Sequence, residues 1–180
     1  MRTSDDDTTE MEVRTDDAAK RKVHEMIDAA KFAMLGTYDA TGRAHSRPMV
    51  AVAHGTGDGE RSDELWFFTR AESRKVDEIS RDPRVLVDYA DPDAQSYVSV
   101  VGRAEILADR AKIEALWSEP LRTWFPEGTD DPEARLVRVV AESVEYWDSP
   151  SSAMVHAWGY VKARATGEPP SPGEIAQVRM

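Results

Sequence analysis

The chain of 180 residues contains no cysteine. That removes disulfide staples, thiol nucleophiles and thiolate metal sites together. It also lacks a basic surplus: 23 lysines and arginines stand against 34 aspartates and glutamates, for a net charge of −11. A general nucleic-acid binder, or a protein held to an anionic membrane, needs the opposite sign. No uninterrupted apolar run approaches the roughly 20 residues that cross a bilayer as a helix. The acidic N-terminal stretch has no apolar signal core. The expectation is a soluble, cytoplasmic protein without nucleic-acid or membrane partners. Several motifs of familiar chemistry are missing too. There is no GxGxxG and no P-loop, so the usual dinucleotide and triphosphate cradles are absent. His24, His45, His54 and His156 show neither HExxH nor paired-ligand spacing, and no metal site is expected. No G-x-S-x-G elbow marks a nucleophile.

What the chain does have is enough apolar residue, 41%, to build a core. Its length fits one domain with tails. Residues 1–14, which include Asp5-Asp6-Asp7, cannot bury enough apolar surface to offset ordering and read as a disordered acidic tail. The domain is expected over 15–152. Residues 153–180 read as a helix or extended arm followed by a loose tail.

Within the domain, 15–30 reads as a helix capped by Thr15, with Ala19, Val23, Met26, Ile27 and Ala30 on one face. Phe32 to Tyr38 is a buried strand. The turn Asp39-Ala40-Thr41-Gly42 joins it to a strand over about 43–53, making a hairpin. On that second strand His45, Arg47, Met49 and Ala51 share one face, and Pro48 marks an edge or a bulge. Residues 54–63 read as a loop. Leu65 to Thr69 is a strand apolar on both faces. A helix opens at Ser73 and stops before Pro83. Further strands follow at 84–90, 96–107 and 135–147, the second bent at Gly102. Between the last two, Asp109 caps a helix and Trp124-Phe125 sits in an irregular loop. About six strands joined by short turns, with no repeating βαβ unit, predict a mainly β fold: an antiparallel barrel with peripheral helices.

Residues 43–75 are the candidate site. Arg47, Arg74 and Lys75 bring positive charge, Thr69 and Ser73 bring hydroxyls, and the helix start adds free N–H groups and a partial positive charge. A phosphate monoester carries roughly −1.5 to −2 charges near neutral pH, which this set matches. The aromatic strand beside it suits a flat ring, so the reading is a flavin mononucleotide (FMN) site. The plainer readings are an Arg47 paired with a surface acid and an ordinary solvated helix start at Ser73. Trp66, Phe67 and Phe68 read as core, with Phe68 meeting the site through its backbone.

The segments His45–Met49, Leu65–Thr69, Ser73–Val76, Tyr97–Gly102, Trp124–Pro126 and Glu145–Ser151 together resemble the pyridoxamine 5′-phosphate oxidase-like superfamily, specifically its general stress protein branch. The resemblance runs from Lys31 to Ser152. It implies a six-stranded antiparallel split β-barrel of the FMN-binding type, and a homodimer with flavin at the interface. It implies Arg47 and Lys75 as phosphate ligands, with Arg74 and Ser73 beside them. The backbone of Pro48, Met49 and Val50 would run along the isoalloxazine ring, and Phe68 and Thr69 would lie under the ribityl-phosphate end. Tyr97 and Trp147 would reach the flavin from the second subunit. One element departs. Pyridoxamine phosphate oxidases carry an Arg-x-His shortly after the tryptophan, and none follows Trp147 here. The expectation is a stress-associated FMN-dependent oxidoreductase of undefined substrate that does not oxidise pyridoxine phosphate; the alternative is a non-catalytic flavin-binding or flavin-sensing dimer. Haem and deazaflavin are other flat occupants of this fold. No side chain stands out as catalytic apart from the cofactor contacts.

Overall fold

A computed structural model describes residues 12–30, 32–54, 63–148 and 174–179. In chain order the elements are β1 (Glu12–Arg14), α1 (Asp17–Ala29), β2 (Ala33–Tyr38), β3 (Ala44–Met49), β4 (Ala51–His54), β5 (Glu64–Arg70), α2 (Arg74–Arg81), β6 (Arg84–Asp91), β7 (Ser96–Leu107), α3 (Arg110–Leu116), β8 (Ala134–Asp148) and β9 (Glu174–Arg179). Short 3-10 turns over 119–123 and 128–130 fill the stretch between α3 and β8.

The barrel closes through one bent strand. β2 pairs with β3 and β6, β6 with β7, β7 with β8, β8 with β5, and β5 with β4, all antiparallel. β3 and β4 are consecutive and break at Val50, so the ring runs back to its start through that corner. Pro48 lies two residues before the break, where a missing N–H costs the ladder least. Counted with β3–β4 as one bent strand, the ring holds the six strands read from the sequence. The sheet as a whole has nine strands. The difference comes from the division at Val50 and from β1 and β9.

Those two strands correct the reading of both termini. Glu174–Arg179 pairs antiparallel with Ser143–Asp148 of β8, and Glu12–Arg14 pairs parallel with β9. Ala176 and Val178 enter the core at 1% and 0% exposure. A partner strand thus supplies the burial that these short, polar-flanked stretches could not supply alone. The helix or extended arm expected at the start of 153–180 lies outside the described residues. A smaller correction concerns α1. Its cap is Asp16, whose carboxylate accepts the Ala19 N–H at 3.0 Å, not Thr15.

Alternation assigns the faces. Leu35, Val87, Val98, Val100, Val144 and Tyr146 point into the barrel and are almost fully buried. β5 is buried on both sides. Leu65 and Phe67 enter the barrel core, whereas Trp66 and Phe68 join Ile113, Leu116, Leu121 and Phe125 in a second cluster. That second cluster anchors α3 and the 3-10 turns beside the Val50 corner.

Candidate functional site

The corner at Val50, the end of β5 and the start of α2 converge around a cleft of about 480 Å³. Pro48, Met49 and Val50 form one side of it. Phe68, Thr69, Ser73 and Lys75 form the floor and one end, and Leu121, Trp124 and Phe125 the other. Hydroxyls and charge gather around Lys75, the larger apolar side chains come from Leu121, Trp124 and Phe125, and Arg70 and Glu72 complete the lining.

Lys75 defines the polar end. Its Nζ donates to Ser73 Oγ at 2.6 Å and to Thr69 Oγ1 at 3.1 Å. Among the described residues no carboxylate forms an ion pair with it: Glu78, whose charge bears on it, is engaged by Arg47 and Arg74. Burial pulls the Lys75 pKa below its ordinary value, the Arg47 charge lowers it further, and Glu78 only partly opposes them. Ser73 holds the N-cap position of α2 but makes no side-chain capping bond. Its hydroxyl is turned to Lys75 instead.

The two arginines are held differently. Arg47 Nη2 donates to Glu78 Oε2 at 2.9 Å, and its Nη1 donates to Thr37 Oγ1 at 2.5 Å. Arg74 Nε donates to Glu78 Oε1 at 2.8 Å across one turn of α2. The Thr37 hydroxyl donates to Glu78 at 2.5 Å. Glu78 is only 2% exposed. Burial pushes its carboxyl up, but Thr37, Arg47 and Arg74 together outweigh that and hold it below the usual glutamate range. With Glu78 ionised, the four charged groups of this end sum to about two positive charges, which matches the roughly −1.5 to −2 of a phosphate monoester. Sequence reading missed Glu78. The signal available was its i,i+4 spacing from Arg74 and its place beside Ile79 on the inner face of α2.

A polar shelf of about 420 Å³ continues from the Lys75 end, bordered by His45, Arg47 and Arg74. His45 Nε2 lies 2.9 Å from an Asp39 carboxylate oxygen. Asp39, bonded first by Thr41 and then by His45, is held well below the usual carboxylate range.

The apolar end is built by packing. Phe68 meets Trp117 edge-on with ring centroids 5.9 Å apart and Phe125 at 5.8 Å. As expected, the Phe68 ring therefore belongs to the core. Trp124 is 55% exposed over the cleft, and its carbonyl accepts from Arg70 Nη1 at 3.0 Å. Of the residues singled out from sequence, Pro48, Met49, Val50, Phe68, Thr69, Ser73 and Lys75 line the cleft, and Arg47 and Arg74 border the adjoining shelf. Tyr97 and Trp147 do not join them. They are direct cross-strand partners on β7 and β8, and neither lines the cleft of its own chain. Among the described residues no cluster of histidine and carboxylate groups could hold a metal ion, and no helix is long and apolar enough to cross a membrane.

The model of a family described as pyridoxamine 5′-phosphate oxidase like matches residues 18–171. The protein bli-3 of Neurospora crassa is 26% identical over 157 residues, covering 82% of this chain and 73% of that protein. A Clostridium acetobutylicum protein, described as related to general stress protein 26 and of the pyridoxinephosphate oxidase family, superposes with a TM-score of 0.64 at 25% identity, covering 74% of this chain and 90% of that one. A general stress FMN/FAD binding protein of Xanthomonas citri superposes with a TM-score of 0.66 at 24% identity, covering 76% and 93%.

Proposed function

The chain belongs to the pyridoxamine 5′-phosphate oxidase like family, and on that premise we propose that it binds FMN in the cleft at Lys75 and serves as a stress-associated flavin oxidoreductase. The observation that carries this reading is Lys75 itself. It is a half-buried cation on two hydroxyls, without a carboxylate partner among the described residues, in a cleft that also presents Phe68, Leu121, Trp124 and Phe125. A bound phosphate would supply the missing counter-charge through charge-assisted hydrogen bonds. The cleft volume of about 480 Å³ lies in the range typical of cofactor sites, about 300–1,000 Å³.

When bound, the flavin supplies the redox chemistry. The protein's own part is recognition and orientation. Lys75, Ser73 and Thr69 fix the phosphate end, Arg47 and Arg74 add field from their posts on Glu78, and the Pro48–Val50 backbone borders the ring. Trp124 covers the apolar end from water. With no Arg-x-His after Trp147, the grip on pyridoxine phosphate is missing, so that compound is not the substrate. A homodimer follows as part of the same reading.

The test is an absorption spectrum of the purified protein, with mass spectrometry of whatever denaturation releases, followed by titration of cofactor-free protein with FMN and riboflavin. FMN is expected to bind at one per chain, and riboflavin, which lacks the phosphate, far more weakly. Equal affinity for the two, or a colourless protein that takes up neither, would overturn the reading.

A further inference from the structure

Beyond the wall formed by Val50, Leu121 and Trp124 lies a second cleft, of about 700 Å³. Those three residues line both clefts, so the two meet along one surface. The remaining sides come from β4 through Ala51 and Val52, from the end of α3 and the residues after it through Ala115, Trp117 and Ser118, and from Phe32. Among the described residues that line it, none carries a charge. The first cleft, by contrast, has Arg70, Glu72 and Lys75 in its lining.

That difference decides what the second cleft can hold. An ionised ligand would lose its hydration there without gaining a counter-charge from the lining. A neutral aromatic ligand gains by removing apolar surface from water. The rim leaves Phe32 at 61%, Val50 at 44% and Trp124 at 55% exposure, a grouping of large uncovered apolar side chains of the kind that marks binding surfaces. A ligand whose phosphate sits at Lys75 must extend its ring toward the apolar end of the first cleft. That end is the shared wall.

We propose that the second cleft binds a flat, uncharged, apolar co-ligand of the aromatic or quinone class beside the ring end of the flavin cleft. The inference rests on the flavin reading and names the class of molecule the flavin works with. It excludes phosphate esters from this cleft.

The experiment loads the full-length protein with FMN and titrates it with menadione and, in parallel, with pyridoxine 5′-phosphate, reading the flavin absorption band and tryptophan fluorescence. A saturable response to menadione and none to the phosphate ester is expected. Ala115 and Ser118 are exposed and line only the second cleft. Ala115→Trp, with Ser118→Trp as the second variant, is expected to weaken menadione binding by about tenfold or more while FMN affinity stays unchanged. Equal responses to both compounds, or undiminished menadione binding in both variants, would overturn the proposal. So would a change of oligomeric state in the variants in place of lost menadione binding, which would assign the cleft to a second copy. If FMN does not load at all, the flavin reading fails by itself. The menadione titration of the cofactor-free protein by tryptophan fluorescence then decides the cleft: quenching lost in the variants supports it, and no quenching overturns it.

Discussion

Glu78 and Lys75 divide the cationic end of the site between them. Glu78 takes Arg47 and Arg74, while Lys75 rests on two hydroxyls, which is what the proposed phosphate contact requires. The Lys75 pKa is lowered on folding, so across the neutral range the unfolded chain holds that proton more tightly than the folded one. The folded state therefore loses stability as pH falls below the ordinary lysine value, and the cost is complete once pH lies below the lowered folded value. Lys75→Met should remove that cost and the phosphate contact together. The expected outcome is a cofactor-free protein melting no lower than wild type and an FMN affinity reduced by roughly 1.5–3 kcal/mol, on the order of 10- to 100-fold. Arg74→Met should cost less affinity, because Arg74 already has a carboxylate. A lower melting temperature for Lys75→Met with FMN affinity intact would reverse the assignment. Glu78 has the opposite sign. Its folded pKa is lowered, so its contribution is present above the ordinary glutamate range and fades as pH falls through the lower folded value. Glu78→Ala leaves Arg47 in place without its acid, and removing one partner of a buried pair costs about 3–5 kcal/mol. Urea unfolding should show a loss of that order at pH 7. The gap from wild type should narrow in strong acid, where wild type has lost the same carboxylate. A gap that does not depend on pH would mean the effect is packing alone.

At the level of elements, the strands were legible because each writes its burial into alternating positions. β7 was read to its final boundaries, and its bend was read from Gly102. The β7–β8 register shifts between Val101 and Gly102, and a Cβ at Gly102 would run into the Val140 carbonyl. Gly102→Ala should therefore destabilise the barrel by about 1–3 kcal/mol, the usual cost of forced overpacking. A melting curve unchanged from wild type would place the bend elsewhere. β9 was not legible, because two buried residues, Ala176 and Val178, are too few to set a period. Its order comes from the edge of β8, far away in sequence. Ending the chain at residue 173 should expose that edge, and unpaired edges template aggregation. The expected result is a less stable protein that aggregates on concentration; an equally stable, monodisperse product would show β9 to be dispensable. The site divides in the same way. Residues 47–50 and 68–75 could be joined from sequence because a hairpin and a strand–helix step bring them together. Glu78 could not be placed, since its partner Thr37 lies 41 positions away and nothing local records the pairing.

For the whole molecule, the outer face of the sheet bears on how the site is completed. Register places Leu86 opposite Val101, and Tyr97 opposite Trp147. Alternation turns Met34, Leu86, Tyr97, Val101 and Trp147 away from the barrel interior. Of these, Met34 is 41%, Tyr97 41% and Val101 47% exposed. A second copy of this chain seated on that face would cover apolar surface and carry a Tyr97 and a Trp147 to a neighbouring cleft. This is the arrangement that the dimer reading requires, since neither residue reaches the cleft of its own chain. Val101→Arg puts a charge in the middle of the face, where an unpaired buried ion costs several kcal/mol. Sedimentation should give wild type at twice the chain mass and Val101→Arg at one chain mass, with the barrel folded by circular dichroism. FMN titration of that monomer then separates two questions. Weaker binding than wild type, matched by Tyr97→Ala in an intact dimer, would make the aromatic pair part of the flavin site. A monomer with undiminished FMN affinity would restrict the site to the Lys75 cleft of one chain. A variant that stays dimeric would move the interface off this face altogether.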